Sequence, residues 1–308
     1  MKKILIPIFA ILILGCNQTD KDGYILPDWQ QGDYRFIKTE VSSFSRVNND
    51  TIYNLSAKNE YKFSVVGVSK DFYTIEMQNI SKPDFDFTIG IDSVGNDINK
   101  MMSLLQSFPK ISIPYQVRIT KSGEIDEIVD WETVLDKFVA KIMHIADSIG
   151  FRPEEHQYMK QYFSSTIGIE ENLRNTLFKE ISDNLDLYNT KIPEPDSIVT
   201  EKIQVPNPNT GMIVNAKLHY KTLSVTNGIY EIEMRIEFDD DIFSNSDDFV
   251  EDFFNKDSTK ETFKPDLENY SIFYWNSTTS WIDSSRFHMN LIADTIEVRM
   301  KTKTLMYK

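Results

Sequence analysis

The stretch Tyr220-Lys221-Thr222-Leu223-Ser224-Val225-Thr226-Asn227-Gly228-Ile229-Tyr230-Glu231-Ile232-Glu233-Met234-Arg235-Ile236-Glu237-Phe238 decides the fold class. After the glycine, Tyr230, Ile232, Met234, Ile236 and Phe238 alternate with Glu231, Glu233, Arg235 and Glu237. A period of two sends the apolar set to one face of a strand and the charged set to the other. Thr226-Asn227-Gly228 is the hairpin signal before it, because Asn and Gly accept the positive φ of a type I′ turn.

A similar pattern lies 157 residues earlier. Phe63-x-Val65-Val66-x-Val68 before Tyr73-Thr74-Ile75-Glu76-Met77 matches Tyr220-x-Thr222-Leu223-x-Val225 before Tyr230-Glu231-Ile232-Glu233-Met234. This is the spacing of an internal repeat. Strands rich in aromatic and β-branched residues are also predicted over 32–46, 50–68, 111–120, 197–205, 213–225, 270–276, 280–291 and 294–306. In the third of these, Tyr115, Val117 and Ile119 share a face, Pro114 marks the strand start and Ser122-Gly123 turns the chain. Asp84 and Asp86 alternate with Phe85 and Phe87, the pattern of an exposed strand face that continues to Asp92.

The middle of the chain changes period. Trp131, Leu135, Phe138, Ile142, Ile145 and Ile149 recur at three- and four-residue steps, with Asp130 as N-cap and Gly150 as terminator. A second helix starts at Pro153, and Ile169, Leu173, Leu177, Ile181 and Leu185 give a third. A shorter one covers 97–107. The predicted class is α+β: curved antiparallel sheets or a half-barrel, in two repeated halves (32–129 and 196–308), with a helical insert over 130–192 packed on one side.

The N-terminus sets an address. Lys2 and Lys3 precede eleven uncharged residues, Ile4 to Leu14. That is about half of the ~20 residues that cross a bilayer as a helix, and it fits a secretory signal. Ile13-Leu14-Gly15-Cys16 resembles the lipobox of bacterial lipoproteins. The resemblance implies cleavage of residues 1–15, a diacylglycerol thioether on Cys16 and an N-acyl chain such as palmitate. Two or more chains are what stable anchoring requires. Removing Lys2 and Lys3 takes the net charge from −14 to −16. Residues 16–31 are expected to be anchor and tether. Asn17, rather than Asp, follows the cysteine, which in such lipoproteins implies the outer membrane. Asp20 and Asp22 are interrupted by Lys21, so the sequence does not choose between the periplasmic face and the cell surface.

The order of lipobox, Tyr/Phe-rich strand pair, Ile113-Pro114-Tyr115-Gln116-Val117-Arg118-Ile119-Thr120-Lys121-Ser122-Gly123-Glu124-Ile125 and a Trp-led helix resembles an uncharacterised family of bacterial lipoproteins. It is loosely similar to lipoprotein-localisation and lipid-carrier half-barrels. By fold analogy this implies a non-catalytic binding or carrier protein holding a lipophilic or envelope ligand in a concave sheet. A structural lipoprotein docking on another envelope protein is the alternative, and an unrecognised hydrolase a minor one.

Several chemistries lack their residues. With 33 Lys and Arg against 47 Asp and Glu, the chain suits neither a nucleic-acid backbone nor an anionic surface as its main partner. One cysteine excludes an intramolecular disulfide framework, a Cys-rich zinc site and a CxxC pair. The four histidines, His144, His156, His219 and His288, form no metal motif, and GxSxG elbows and Gly-rich phosphate loops are missing. No catalytic residue, metal ligand or cofactor is assigned beyond the lipid on Cys16. Asp239-Asp240-Asp241, Asp247-Asp248 and Glu251-Asp252 are dense enough for Ca²⁺, but Phe243 stands where a third loop ligand belongs. The cluster over 239–252 reads as a solvated acidic rim. Phe273, Tyr274, Trp275 and Trp281 are the candidate ligand-facing aromatics.

Overall fold

The computed structural model describes residues 23–81, 84–89, 100, 103–104, 107, 111, 113–166, 170, 173, 185–206, 213–238, 266–293 and 296–308. Cys16, Asp92 and the acidic cluster 239–252 lie outside the described residues, as does most of the predicted helices over 97–107 and 169–185.

The strands are β1 (Tyr34–Val47), β2 (Asp50–Val68), β3 (Phe72–Asn79), β4 (Asp84–Ile89), β5 (Tyr115–Thr120), β6 (Ile125–Ile128), β7 (Ile198–Pro206), β8 (Ile213–Thr226), β9 (Ile229–Phe238), β10 (Asp266–Asn276), β11 (Trp281–Ala293) and β12 (Ile296–Tyr307). Among the described residues, the helices α1 (Trp131–Ile149) and α2 (Pro153–Thr166) follow β6 and precede β7. All strand pairings among the described residues are antiparallel and join one twelve-stranded open sheet, in the order β6-β5-β3-β2-β1-β12-β11-β10-β9-β8-β7, with β4 alongside the first half of β2. The chain starts in the middle of the sheet, meanders to one edge, crosses through the helices, re-enters at the other edge and meanders back. Its first and last strands pair over twelve residues, from Phe36 opposite Tyr307 to Val47 opposite Ile296.

The predicted hairpin between β8 and β9 is present, with Asn227 at φ 53° and Gly228 at φ 79°. The β1–β2 turn uses Asn48 and Asn49, also at positive φ. The 157-residue match is exact in register. Phe63 faces Met77 and Tyr220 faces Met234, while Val65 faces Ile75 and Thr222 faces Ile232. Each hairpin then takes a bulge at the equivalent place, around Val66 and around Leu223. Both extra residues are exposed. A bulge lets the strand continue without sending its core residues to the wrong face.

One sheet face buries the core, which also takes in Val134, Phe138, Ile142 and Ala146 of α1. The innermost row of α1 is therefore this i, i+4 set, and the predicted Trp131, Leu135, Ile145 and Ile149 flank it half-buried. Asp130 occupies the N-cap, but at φ 54° its side chain makes no capping bond, contrary to expectation. Gly150 ends α1 at φ 86°, its N–H donating to the Ala146 and Asp147 carbonyls.

The tether boundary needs correction. Residues 23–33 form a strap across one end of the sheet, with Ile25 and Trp29 fully buried. The Ile25 N–H donates to the Thr190 carbonyl at 2.9 Å, and the Val65 N–H donates to the Asp33 carbonyl at 2.8 Å. The apolar Ile25 and Trp29 side chains pull this segment out of solvent, so a tether cannot reach residue 31.

Candidate lipophile-binding face

Trp29 fixes the shape of the sheet at its strapped end. Its ring lies 5.1 Å from Tyr73 on β3 and 4.7 Å from Trp281 on β11. Three strands stand between β3 and β11, a separation of about 19 Å in a flat sheet. One indole touches both because the sheet curls around it. Tyr188 closes the same end: its hydroxyl donates to the Ser280 carbonyl at 2.8 Å, and its ring packs against Trp29 and Gly123. Burial pushes that hydroxyl far above the ordinary tyrosine range, so it stays a donor.

Three of the four candidate aromatics belong to this sealed end. Phe273, Trp275 and Trp281 are 1 %, 0 % and 3 % exposed. They are core, and the expectation that they face a ligand is corrected. Period two on β10 puts Phe273 and Trp275 together on the core side, where curvature closes over them. Tyr274 points the other way, half-buried, donating to a Glu231 carboxylate oxygen at 3.0 Å. Burial first, and that carboxylate second, raise its pKa.

Along the same face, away from the strap, burial changes. A row of buried polar side chains crosses β2, β1, β12 and β11: Asn59, Thr39, Thr304 and Ser285. Beyond it the ladder aligns apolar side chains strand by strand. One row runs Phe87, Leu55, Ser43, Met300, Met289 from β4 to β11, and the next runs Tyr53, Ser45, Val298, Leu291, Leu267 from β2 to β10. The apolar members are half-buried, whereas Phe63, Ile75 and Phe273 on the same face at the strapped end are sealed. Phe85 and Phe87 stack at 6.4 Å, and Tyr53 lies 6.1 Å from Phe87. Asp84 and Asp86 are exposed on the opposite side of β4. The result is a broad, adaptable, Met- and Phe-lined wall. Thioethers and aromatic edges of this kind follow the shape of an irregular apolar guest. Sequence reasoning pointed to the tryptophans and missed this wall, although the alternation of Met289, Leu291, Val298 and Met300 was its signal.

Polar chemistry is dispersed. His219 bonds Thr200 at 3.0 Å and Glu237 at 2.9 Å across β7, β8 and β9, an exposed cross-strand network. Among the described residues, no three His, Cys, Asp or Glu side chains are grouped to hold a metal ion, and no helix is long and apolar enough to cross a membrane.

No protein-family model matches the chain, and no curated protein does. Eight chains among solved structures match. One belongs to a structure of lipid–protein interactions in lipovitellin, at 10 % identity and a TM-score of 0.44. That alignment covers 91 % of this chain and 26 % of the other, so the chain spans about a quarter of the lipovitellin chain it resembles.

Proposed function

We propose that this chain is a non-catalytic carrier or binding lipoprotein of the outer membrane, anchored through acyl chains on Cys16, with a lipophilic ligand on the core-side face of its sheet. The observation that carries the reading is the burial gradient on that face. The same ladder that seals Phe63 and Phe273 leaves Leu55, Met289, Val298 and Met300 only half-buried. Leaving these side chains partly in water forgoes about 25 cal/mol per Å² of apolar surface, which a bound acyl chain or similar guest recovers. The Ile13-Leu14-Gly15-Cys16 motif supplies the address, and Asn17 the outer-membrane preference.

Native mass spectrometry of the full chain, gently purified from its own envelope, tests this. A lipophile released by mild activation, distinct from the covalent lipid that survives denaturation, is expected at near one per chain. A chain that flies free of any such adduct across several preparations contradicts the carrier reading.

A further inference from the structure

The opposite face of the same strands carries a different chemistry. Across β2, β1, β12, β11 and β10 it forms an open depression of about 430 Å³. Lys303 on β12 stands directly between Glu40 on β1 and Arg286 on β11, and Lys301, two residues away, stands opposite His288. Lys58 on β2 lies opposite Glu40. Glu40 is the one carboxylate in the lining, and it is already held by Lys38 at 3.4 Å. Lys58, Arg286, Lys301 and Lys303 form no ion pair with a described residue. The His288 ring packs on Tyr270 at 5.2 Å, giving the depression an aromatic wall, and Ile272 opposite Arg286 adds an apolar patch.

Like charges directly opposite each other on neighbouring strands destabilise a sheet. Here Lys303 faces Arg286, in a chain whose acids outnumber its bases 47 to 33. Arg286 lies over the Tyr274 ring at 5.9 Å and Lys58 stands opposite Asp84 on β4 as well as Glu40, yet none of the four cations in the hollow is closed into an ion pair with a described residue, a cost that a multivalent anion removes. We infer that this depression is a binding site for a phosphorylated ligand bearing at least two negative charges, such as a phosphomonoester or diphosphate group. Lys301 and Lys303 project from alternate positions of one strand, about 7 Å apart, and Arg286 and Lys58 flank them, a spread that the several oxygens of a doubly charged phosphate or of a diphosphate can bridge. Arg286 offers the planar fork that suits phosphate oxygens. The site is independent of the lipophile face, since adjacent residues of β12 point to opposite sides.

The test uses the full chain in non-ionic detergent titrated with inorganic pyrophosphate, followed by ³¹P NMR and calorimetry. Binding is expected to weaken about tenfold or more in Lys301→Gln/Lys303→Gln. It is expected to hold within twofold in Lys137→Gln/Lys160→Gln, which makes the same change in net charge on the exposed faces of α1 and α2. Neither double variant should melt below the parent, because the substituted side chains are exposed, and Lys301→Gln/Lys303→Gln should melt at or slightly above it, since it removes the like-charge contact with Arg286. No binding to the parent chain, or equal weakening in both double variants, overturns the inference. A second arm assigns the source. Nanodiscs of phosphatidylcholine with and without phosphatidic acid are compared in the presence of each chain. A preference for phosphatidic acid that Lys301→Gln/Lys303→Gln abolishes identifies a lipid headgroup. Pyrophosphate binding without that preference identifies a free phosphate ester. Failure of the pyrophosphate arm removes this site and leaves the lipophile face untouched.

Discussion

Trp29 stacks on Trp281 with ring centroids 4.7 Å apart and 23° between their planes. The contact joins the N-terminal strap to the start of β11, and Phe63 meets both rings edge-on at 5.3 and 5.4 Å. The strap therefore holds the curl of the sheet as well as covering its end. A curl fixed here sets the surface that the half-buried rows present farther along.

Trp29→Ala is expected to destabilise the chain by about 3–5 kcal/mol, the range for deleting a large buried aromatic. Urea unfolding measures this, and near-ultraviolet circular dichroism should lose the signal of the stacked indoles. A loss below about 1 kcal/mol would show that the strap is peripheral.

Gly32 and Gly123 separate two costs of adding a methyl group. Both sit at positive φ, +94° and +95°. Nothing lies near the position a Cβ would take at Gly32, whereas at Gly123 it would collide with the Tyr188 side chain. Gly32→Ala should cost about 1–2 kcal/mol from backbone strain. Gly123→Ala should add about 1–3 kcal/mol of overpacking to the same strain. Thermal melts of the pair check the ordering.

Glu155 is the third residue of α2, and its carboxylate reaches back to the backbone N–H and the guanidinium of Arg152. This is the return half of a capping box. The Arg152 bonds hold the Glu155 pKa down at about 2, from an ordinary 4.5. A folded-state pKa below the unfolded one stabilises above the unfolded value, so this contribution is complete above pH 4.5 and fades as pH falls toward 2. Carboxyl-carbon NMR should place the Glu155 midpoint near 2. Arg152→Gln should raise it toward the ordinary value, and an unchanged midpoint would refute the assignment.

Cys16→Ser is expected to abolish incorporation of labelled palmitate and to release the chain from two-chain anchoring. Asn17→Asp should move it from outer- to inner-membrane fractions without altering labelling. Density-gradient fractionation reads both.

Local pattern made the strands legible: the period of two over Tyr230–Phe238, the Asn227-Gly228 turn, and even the 157-residue match, which reproduces register and bulge. What stayed illegible is non-local. Nothing near Tyr34–Val47 announces that it pairs with Ile296–Tyr307, because a ladder partner is chosen by the whole sheet. Ile25 and Trp29 lie in a short stretch with neither a helical nor a strand period, so they read as tether until the sheet supplies the cavity they fill. The period of two separates Trp275 from Tyr274 but does not say which side curls closed. That ambiguity directed attention to core tryptophans and away from Met289 and Met300.

Met300 and Lys301 are neighbours in sequence on opposite faces of β12, so a probe at each reports on one face alone. A photoreactive p-benzoylphenylalanine placed at either position in the full chain, irradiated in its native envelope and analysed by mass spectrometry, reports what lies against each face. With the lipophile on the core-side face, an adduct of that class forms at position 300 and none at 301. Equal lipophilic labelling at both positions, or none at 300, would contradict that placement.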